Sequence, residues 1–307
     1  MVPRWPVHPA PIPGEALSSW LRRIATRYGA SLEEIVSDLG HALAPQGRLD
    51  TCQPAGLARE LAHRTGVDVH RIQRMSFSGW TPWLVDQMDP DPEAFTTYTR
   101  QFSVLLPEGK RRPREIPIWL AWLPSRPAFR ACPLCITTST PPYPYQLLWL
   151  VPLTLSCPFH GCLLEPRTRE VTYFTDWVRK PPTPRPVSST ILAMDNRTWQ
   201  AMTTGSVDLP QRQVHAGTWF RLIRTIIDEM GISLSECTAN RLIRRIWKEA
   251  GHPVWAGFRR WQTFEDYPLD VQGRLLEGAA TAIALLESRT IAGLGEDAAL
   301  FLPSIQA

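Results

Sequence analysis

Residues 131–164 read ACPLCITTSTPPYPYQLLWLVPLTLSCPFHGCLL. Two short pieces of one form stand here, with 21 residues between them: Cys132-Pro-Leu-Cys135 and Cys157-Pro-Phe-His160. A Cys-x-x-Cys turn delivers two thiolates to one ion at small entropic cost, and a proline after the first cysteine stiffens the turn. The second turn offers a thiolate and an imidazole. Zinc takes four such ligands in a tetrahedron. The spacing therefore predicts one zinc ion held by Cys132, Cys135, Cys157 and His160. Four protein ligands leave no open position for water, so the site reads as structural rather than catalytic. A β-rich spacer between the two knuckles is expected, giving a zinc-ribbon or finger-like module. Cys162 is the rival fourth ligand, separated from Cys157 by four residues. His160 is preferred because it repeats the two-residue gap of the first knuckle and because Gly161 lets the chain turn away after it. Cys162 then becomes a small buried residue. Cys52 and Cys237 have no partner at ligand spacing and read as free thiols. Clustering of four of the six cysteines points to metal rather than to a disulfide framework in a chain of 307 residues.

Upstream, the first 13 residues are Pro-rich and extended. A helix is predicted from about Glu15, with Leu17, Trp20, Leu21, Ile24, Ala25 and Tyr28 on one stripe. Gly29 stops it, and Ser31 caps a second, shorter helix carrying Leu32, Ile35, Val36 and Leu39. The pattern recurs at an offset of 37: LRRIATRYGASLEEI aligns with ARELAHRTGVDVHRI, pairing Ala25 with Ala62, Gly29 with Gly66 and Ile35 with Ile72. Helix, glycine turn, second helix is the skeleton of a helix-turn-helix, and equally of a plain antiparallel helix pair.

Residues 76–130 are rich in Trp and Pro. Trp80, Trp83, Trp119 and Trp122 are expected to fill core, with partner binding as the alternative, and KRRPRE at 110–115 to be a basic loop in which Arg111 and Arg112 are candidate phosphate contacts. Downstream of residue 187 the chain reads helical. Phe220, Ile223, Ile227 and Met230 form one stripe; Leu242, Ile243, Ile246 and Trp247 form another. Opposite the latter stand Arg241, Arg244, Arg245 and Lys248, a one-sided basic face suited to a phosphate backbone or an acidic partner. Arg23, off the first helix's apolar stripe, is a further candidate contact. A last helix is predicted near 269–288, and the tail AGLGEDAALFLPSIQA reads as a short appendage.

The fold expected is mainly α, in three parts: an N-terminal helix-turn-helix-like domain (1–90), a Trp/Pro-rich connector with the small β-containing zinc module (91–186), and a C-terminal helical domain (187–307). The net charge is only +4, but Lys110, Lys180 and Lys248 are the only lysines among 33 basic residues. That arginine excess suits phosphate and interface contacts, although biased coding composition accounts for it as well. No signal-like or membrane-spanning run is present; the longest apolar stretch, 147–155, contains Pro152. A cytoplasmic protein without a membrane partner is expected. There is no phosphate-binding G-x-x-x-x-G-K-[ST], no G-x-S-x-G and no H-E-x-x-H, so no enzyme is expected.

Two stretches together resemble the TniQ family of transposon target-selection proteins, related to the TnsD type. The first is PIPGEALSSWLRRIA at 11–25, with Pro11, Pro13, Glu15, Leu17, Ser19, Trp20, Leu21, Arg23 and Ala25 in the family's opening pattern. The second is the cysteine segment, with Arg130, Trp149 and Leu164 in its accessory places. Many relatives carry a further Cys pair after the His. EPRTREVTYF follows here, so one zinc is expected rather than two. The resemblance implies a non-catalytic adaptor. Such a protein recognises target DNA, or joins an RNA-guided effector complex, and recruits an AAA+ ATPase of the TnsC or TniB type. The alternative is a zinc-containing transcription regulator that binds DNA through its helix-turn-helix units.

Overall fold

The computed structural model describes residues 4–43, 48–89, 91–110, 116–125, 127–166, 174, 177, 179–234, 239–255 and 262–303. Arg111, Arg112 and Cys237 lie outside the described residues. Within them the helices are α1 (Leu17–Tyr28), α2 (Leu32–Asp38), α3 (Leu57–Thr65), α4 (Val69–Gln73), α5 (Ala94–Arg100), α6 (Pro133–Thr137), α7 (Ser189–Thr204), α8 (Ala216–Met230), α9 (Asn240–Glu249) and α10 (Leu269–Glu287). Two small antiparallel ladders pair β1 (Arg130–Ala131) with β2 (Glu165–Pro166), and β3 (Ser206–Asp208) with β4 (Gln213–His215). The fold is therefore mainly helical. The chain forms two compact units: Met1–Thr81 with Ala128–Val151 and Leu164–Pro184, and Pro82–Pro127 with Pro152–Leu163 and Arg185–Ala307.

In the first unit, α1 buries Leu17, Trp20, Leu21, Ile24 and Ala25 in a cluster with Ile35, Val36, Leu57, Leu61 and Ile72. Gly29 and Gly66 both take a left-handed conformation, with φ of 63° and 72°, and end α1 and α3. Ser31 then caps α2 in a reciprocal box with Glu34, and Asp68 caps α4 through the Arg71 N–H. Helix α1 begins at Leu17, later than predicted. Glu15 instead precedes it, buried, accepting from Ile12 N, Ser19 Oγ and both the Nε and Nη2 of Arg23, each within 3.0 Å. Trp20 Nε1 holds the Pro9 carbonyl and Arg23 Nη2 the Ala10 carbonyl, each at 2.8 Å. The opening motif is thus a lock: its Glu, Ser, Trp and Arg fix the Pro-rich lead, which has few backbone donors of its own.

The second unit is organised on α8, which is buried on nearly every side and packs with α5, α7 and α10. Trp119 and Trp122 lie in this unit's core, as Trp80 does in the first, whereas Trp83 is 36% exposed and lies edge-on to His215 at 4.6 Å. The tail is not an appendage. Phe301 is fully buried, Gly295 N donates to Val104 O at 3.1 Å, and Ser103 N donates to Asp297 Oδ2 at 2.9 Å. The two missed signals are the buried Leu300–Phe301 pair and the small Gly295, where a Cβ would sit 2.2 Å from the Ser103 carbonyl carbon.

Candidate metal centre

The two knuckles are built differently. Cys132 is the N-cap of α6, with Pro133 at the first helical position, where its missing N–H costs nothing. The Cys135 N–H points back at Cys132 Sγ, 3.4 Å away. The second knuckle is a tight turn. Cys157 N donates to Cys162 O and Gly161 N to Cys157 O, both at 2.9 Å. Gly161 has φ 59°, a left-handed conformation in which the chain turns away after His160. The spacer is not β-rich. It contains α6, a 3₁₀ turn at Leu147–Leu150 and irregular chain, while the β1–β2 ladder lies outside the knuckles in sequence. Proline density accounts for this, since Pro141, Pro142, Pro144 and Pro152 each lack the N–H that a ladder needs.

One ligand atom from each of Cys132, Cys135, Cys157 and His160 lies within 4.8 Å of all the others, a group that could hold a metal ion. Cys132 and Cys157 are buried, Cys135 is half-buried and His160 is exposed. The distance between Cys157 Sγ and His160 Nδ1 is 3.6 Å. A tetrahedral zinc with Zn–S of about 2.3 Å and Zn–N of about 2.05 Å requires an S–N edge of about 3.6 Å. The donor set and this edge both fit one zinc. Cys162 is buried in an isolated bridge to Pro186 and is not in the group.

The accessory residues are structural supports. Arg130 is buried and its Nη2 donates to the Val151 carbonyl, while its own carbonyl accepts from Tyr145 Oη at 3.0 Å. Trp149 lies edge-on to Tyr145 at 5.2 Å, and Leu164 is buried.

The other predicted contacts fall in two environments. Arg23 is bound to Glu15 with its side chain 15% exposed. Arg241, Arg244, Arg245 and Lys248 are all exposed on α9, and Ile243, Ile246 and Trp247 are buried opposite them. Buried charges that sequence reading missed lie elsewhere. Glu265 accepts from Arg224 Nε at 3.1 Å, Trp119 Nε1 at 2.9 Å and the Trp122 N–H at 3.1 Å. Burial alone would raise its pKa; the Arg224 charge and the Trp119 and Arg224 hydrogen bonds outweigh that and hold it below the usual range. No helix among the described residues is long and apolar enough to cross a membrane.

Comparison with curated proteins and with solved structures returns no match. The family model for TniQ matches residues 6–164, just over half of the 307-residue chain and inclusive of both the Glu15–Arg23 lock and all four candidate ligands, so the protein belongs to the TniQ family of transposition-associated proteins.

Proposed function

We propose that the chain is a non-catalytic adaptor of transposon target selection, which recognises target DNA or a guide-RNA effector complex and recruits an AAA+ ATPase of the TnsC or TniB type. The observation that carries the reading is the family match over 6–164, with the opening motif and the four-ligand group both inside it. Cys132, Cys135, Cys157 and His160 would hold one zinc ion, which supplies four fixed tethers and no reactive water, because every coordination position is filled by protein. Cys135 N–H and the Gly161 turn orient the first and second knuckles towards it. The tandem helix–glycine–helix pairs of the first unit offer the face for the ATPase or for target DNA. They also support the second reading, a DNA-binding transcription regulator.

A tagged pull-down from the native host, with and without ATP and DNA, separates the two. Recovery of an AAA+ ATPase is the expected result, and co-purifying RNA would identify guided targeting. Recovery of RNA polymerase, with a promoter-specific footprint and no ATPase, would transfer the protein to the regulator reading.

A further inference from the structure

Six arginines with described side chains are paired with a carboxylate. Arg23 meets Glu15, Arg64 meets Asp38, Arg197 meets Glu287, Arg221 meets Asp86, Arg224 meets Glu265 and Arg274 meets Asp270. Single exposed arginines such as Arg27, Arg59, Arg74 and Arg212 stand outside these pairs, but on helix α9 four cations do so together. Its Arg241, Arg244, Arg245 and Lys248 form no ion pair with any carboxylate among the described residues, and all four are exposed. Spacing i, i+3, i+4, i+7 places them on one face. The opposite face is anchored by buried Ile243, Ile246 and Trp247, so the helix cannot rotate its charges away. Asn240 Oδ1 accepts from Arg244 Nε at 2.6 Å, which orders that side chain in advance. An ordinary solvated face mixes signs, because like charges at i,i+4 destabilise a helix. Arg241/Arg245 and Arg244/Lys248 are two such pairs. A face that keeps four cations unneutralised at this cost is shaped for a polyanion.

From this we infer that α9 is a sequence-independent clamp on the phosphodiester backbone of a nucleic acid. The inference rests on the adaptor reading only in expecting nucleic acid as a partner, and it assigns that contact to the region beyond the matched residues 6–164. The size fits. Seven residues of helix rise about 10.5 Å, and the same length of duplex axis carries about six phosphate charges. Three arginine forks and one ammonium can meet three or four of them, and the amide of Asn240 is already engaged by Leu234 O and Arg244 Nε.

The test titrates the full chain, zinc-loaded, against an unrelated duplex DNA and an RNA duplex of equal length between 50 and 200 mM salt. Four phosphate contacts contribute a slope of about −3.6 in log K against log salt, or a roughly hundredfold loss across that range. The variant Arg241→Gln/Arg244→Gln/Arg245→Gln/Lys248→Gln is expected to flatten the slope by about 3 to 4, with an unchanged melting curve and metal content. Arg241→Lys/Arg244→Lys/Arg245→Lys retains the charges and should retain the slope. A loss confined to one of the two duplexes names the source of the phosphates. An unchanged slope on both, or the same loss of binding to an acidic polypeptide with none to nucleic acid, overturns the inference. The adaptor reading fails separately: it falls if the wild-type chain captures no ATPase, whatever its salt slope.

Discussion

Residues 130–166 and the helices α8 to α10 solve one problem in opposite ways. From Tyr145 to Cys157 every residue is buried, yet regular structure there is limited to one 3₁₀ turn. In α8 every residue but Thr218 and Asp228 is buried as well, but the helix satisfies its own backbone. Irregular chain buried to that degree must find partners for each N–H and C=O elsewhere. It finds them in charged side chains. Arg130 serves the Val151 carbonyl. Asp195, on α7, accepts from the N–H groups of Leu155 and Ser156 at 3.1 and 2.7 Å. The same device recurs along the molecule. Glu229, on α8, accepts from Leu105 N at 2.6 Å, Glu265 from Trp122 N, and Asp50 from Ser18 N at 2.7 Å. The charges buried in this protein thus largely serve its irregular backbone, and the knuckle segment adds metal ligands to that provision.

The largest effect should come from the metal ligands. Structural zinc sites contribute about 10 to 16 kcal/mol of apparent binding energy, more than a typical domain's whole stability. Cys157→Ser is expected to lose the metal and unfold the segment around 130–166, detected by metal analysis and by rapid proteolysis there. The helices α8 to α10 are expected to survive the loss, because their packing uses no ligand residue. A variant with full metal content and an unaltered melt would sink the four-residue assignment.

Next in size is Glu265. Glu265→Ala leaves Arg224 buried without its counter-charge and Trp122 N–H without its acceptor, at a cost of about 3 to 5 kcal/mol. Trp122 makes the case more demanding, since it is held at φ 63°, a conformation that bulky residues rarely adopt. The pH sign follows from the pKa direction. The folded Glu265 carboxyl lies below its ordinary 4.5, so its contribution is complete above that value and is lost as pH falls through the folded pKa. Chemical denaturation from pH 7 to 3 should show this loss in the wild type and a smaller acid dependence in Glu265→Gln.

Between these extremes lies Gly161→Ala. Nothing closer than the Leu192 methyls, at 3.7 Å, obstructs a Cβ, so the penalty is the left-handed backbone itself, about 1 to 2 kcal/mol. The variant should keep its metal with weakened affinity, measured by competition with a chromophoric chelator. Undiminished affinity would show that the second knuckle does not depend on this turn.

The knuckles were legible because their ligands are local: two-residue gaps and a following glycine suffice. Helices α1 to α4 were legible for the same reason, through periodicity and a repeated Gly. The spacer was misread because a buried run such as Leu147–Leu150 shows no period, and a strand and a tertiary-buried turn look alike in it. The tail was misread because its place depends on Gly295 approaching residues 103–104, nearly two hundred positions away in sequence. Asp195, Glu229 and Glu265 were invisible as core residues because a carboxylate is ordinarily a surface group. The irregular backbone that each one serves lies far from it in sequence.

The smallest effect sharpens the comparison from the side of regular structure. Ser31 and Asp68 occupy the same place in the two helix–glycine–helix copies, each receiving an N–H at the third position of a short helix. Only Ser31 has the reciprocal contact, Ser31 N to Glu34 Oε2 at 2.7 Å; the corresponding position in the second copy is Arg71. Ser31→Ala and Asp68→Ala should each cost about 1 kcal/mol, with Ser31→Ala the larger because both halves of the box depend on it. Both helices are local, amphipathic and already fixed by Ile35, Val36 and Ile72 in one apolar cluster, so neither loss should propagate. Hydrogen exchange should quicken in the first turn of the affected helix and leave the other copy alone. Exchange that quickened in both copies together would mean that the pairs fold as one cooperative block, and that regular structure here depends on distant contacts as much as the knuckle segment does.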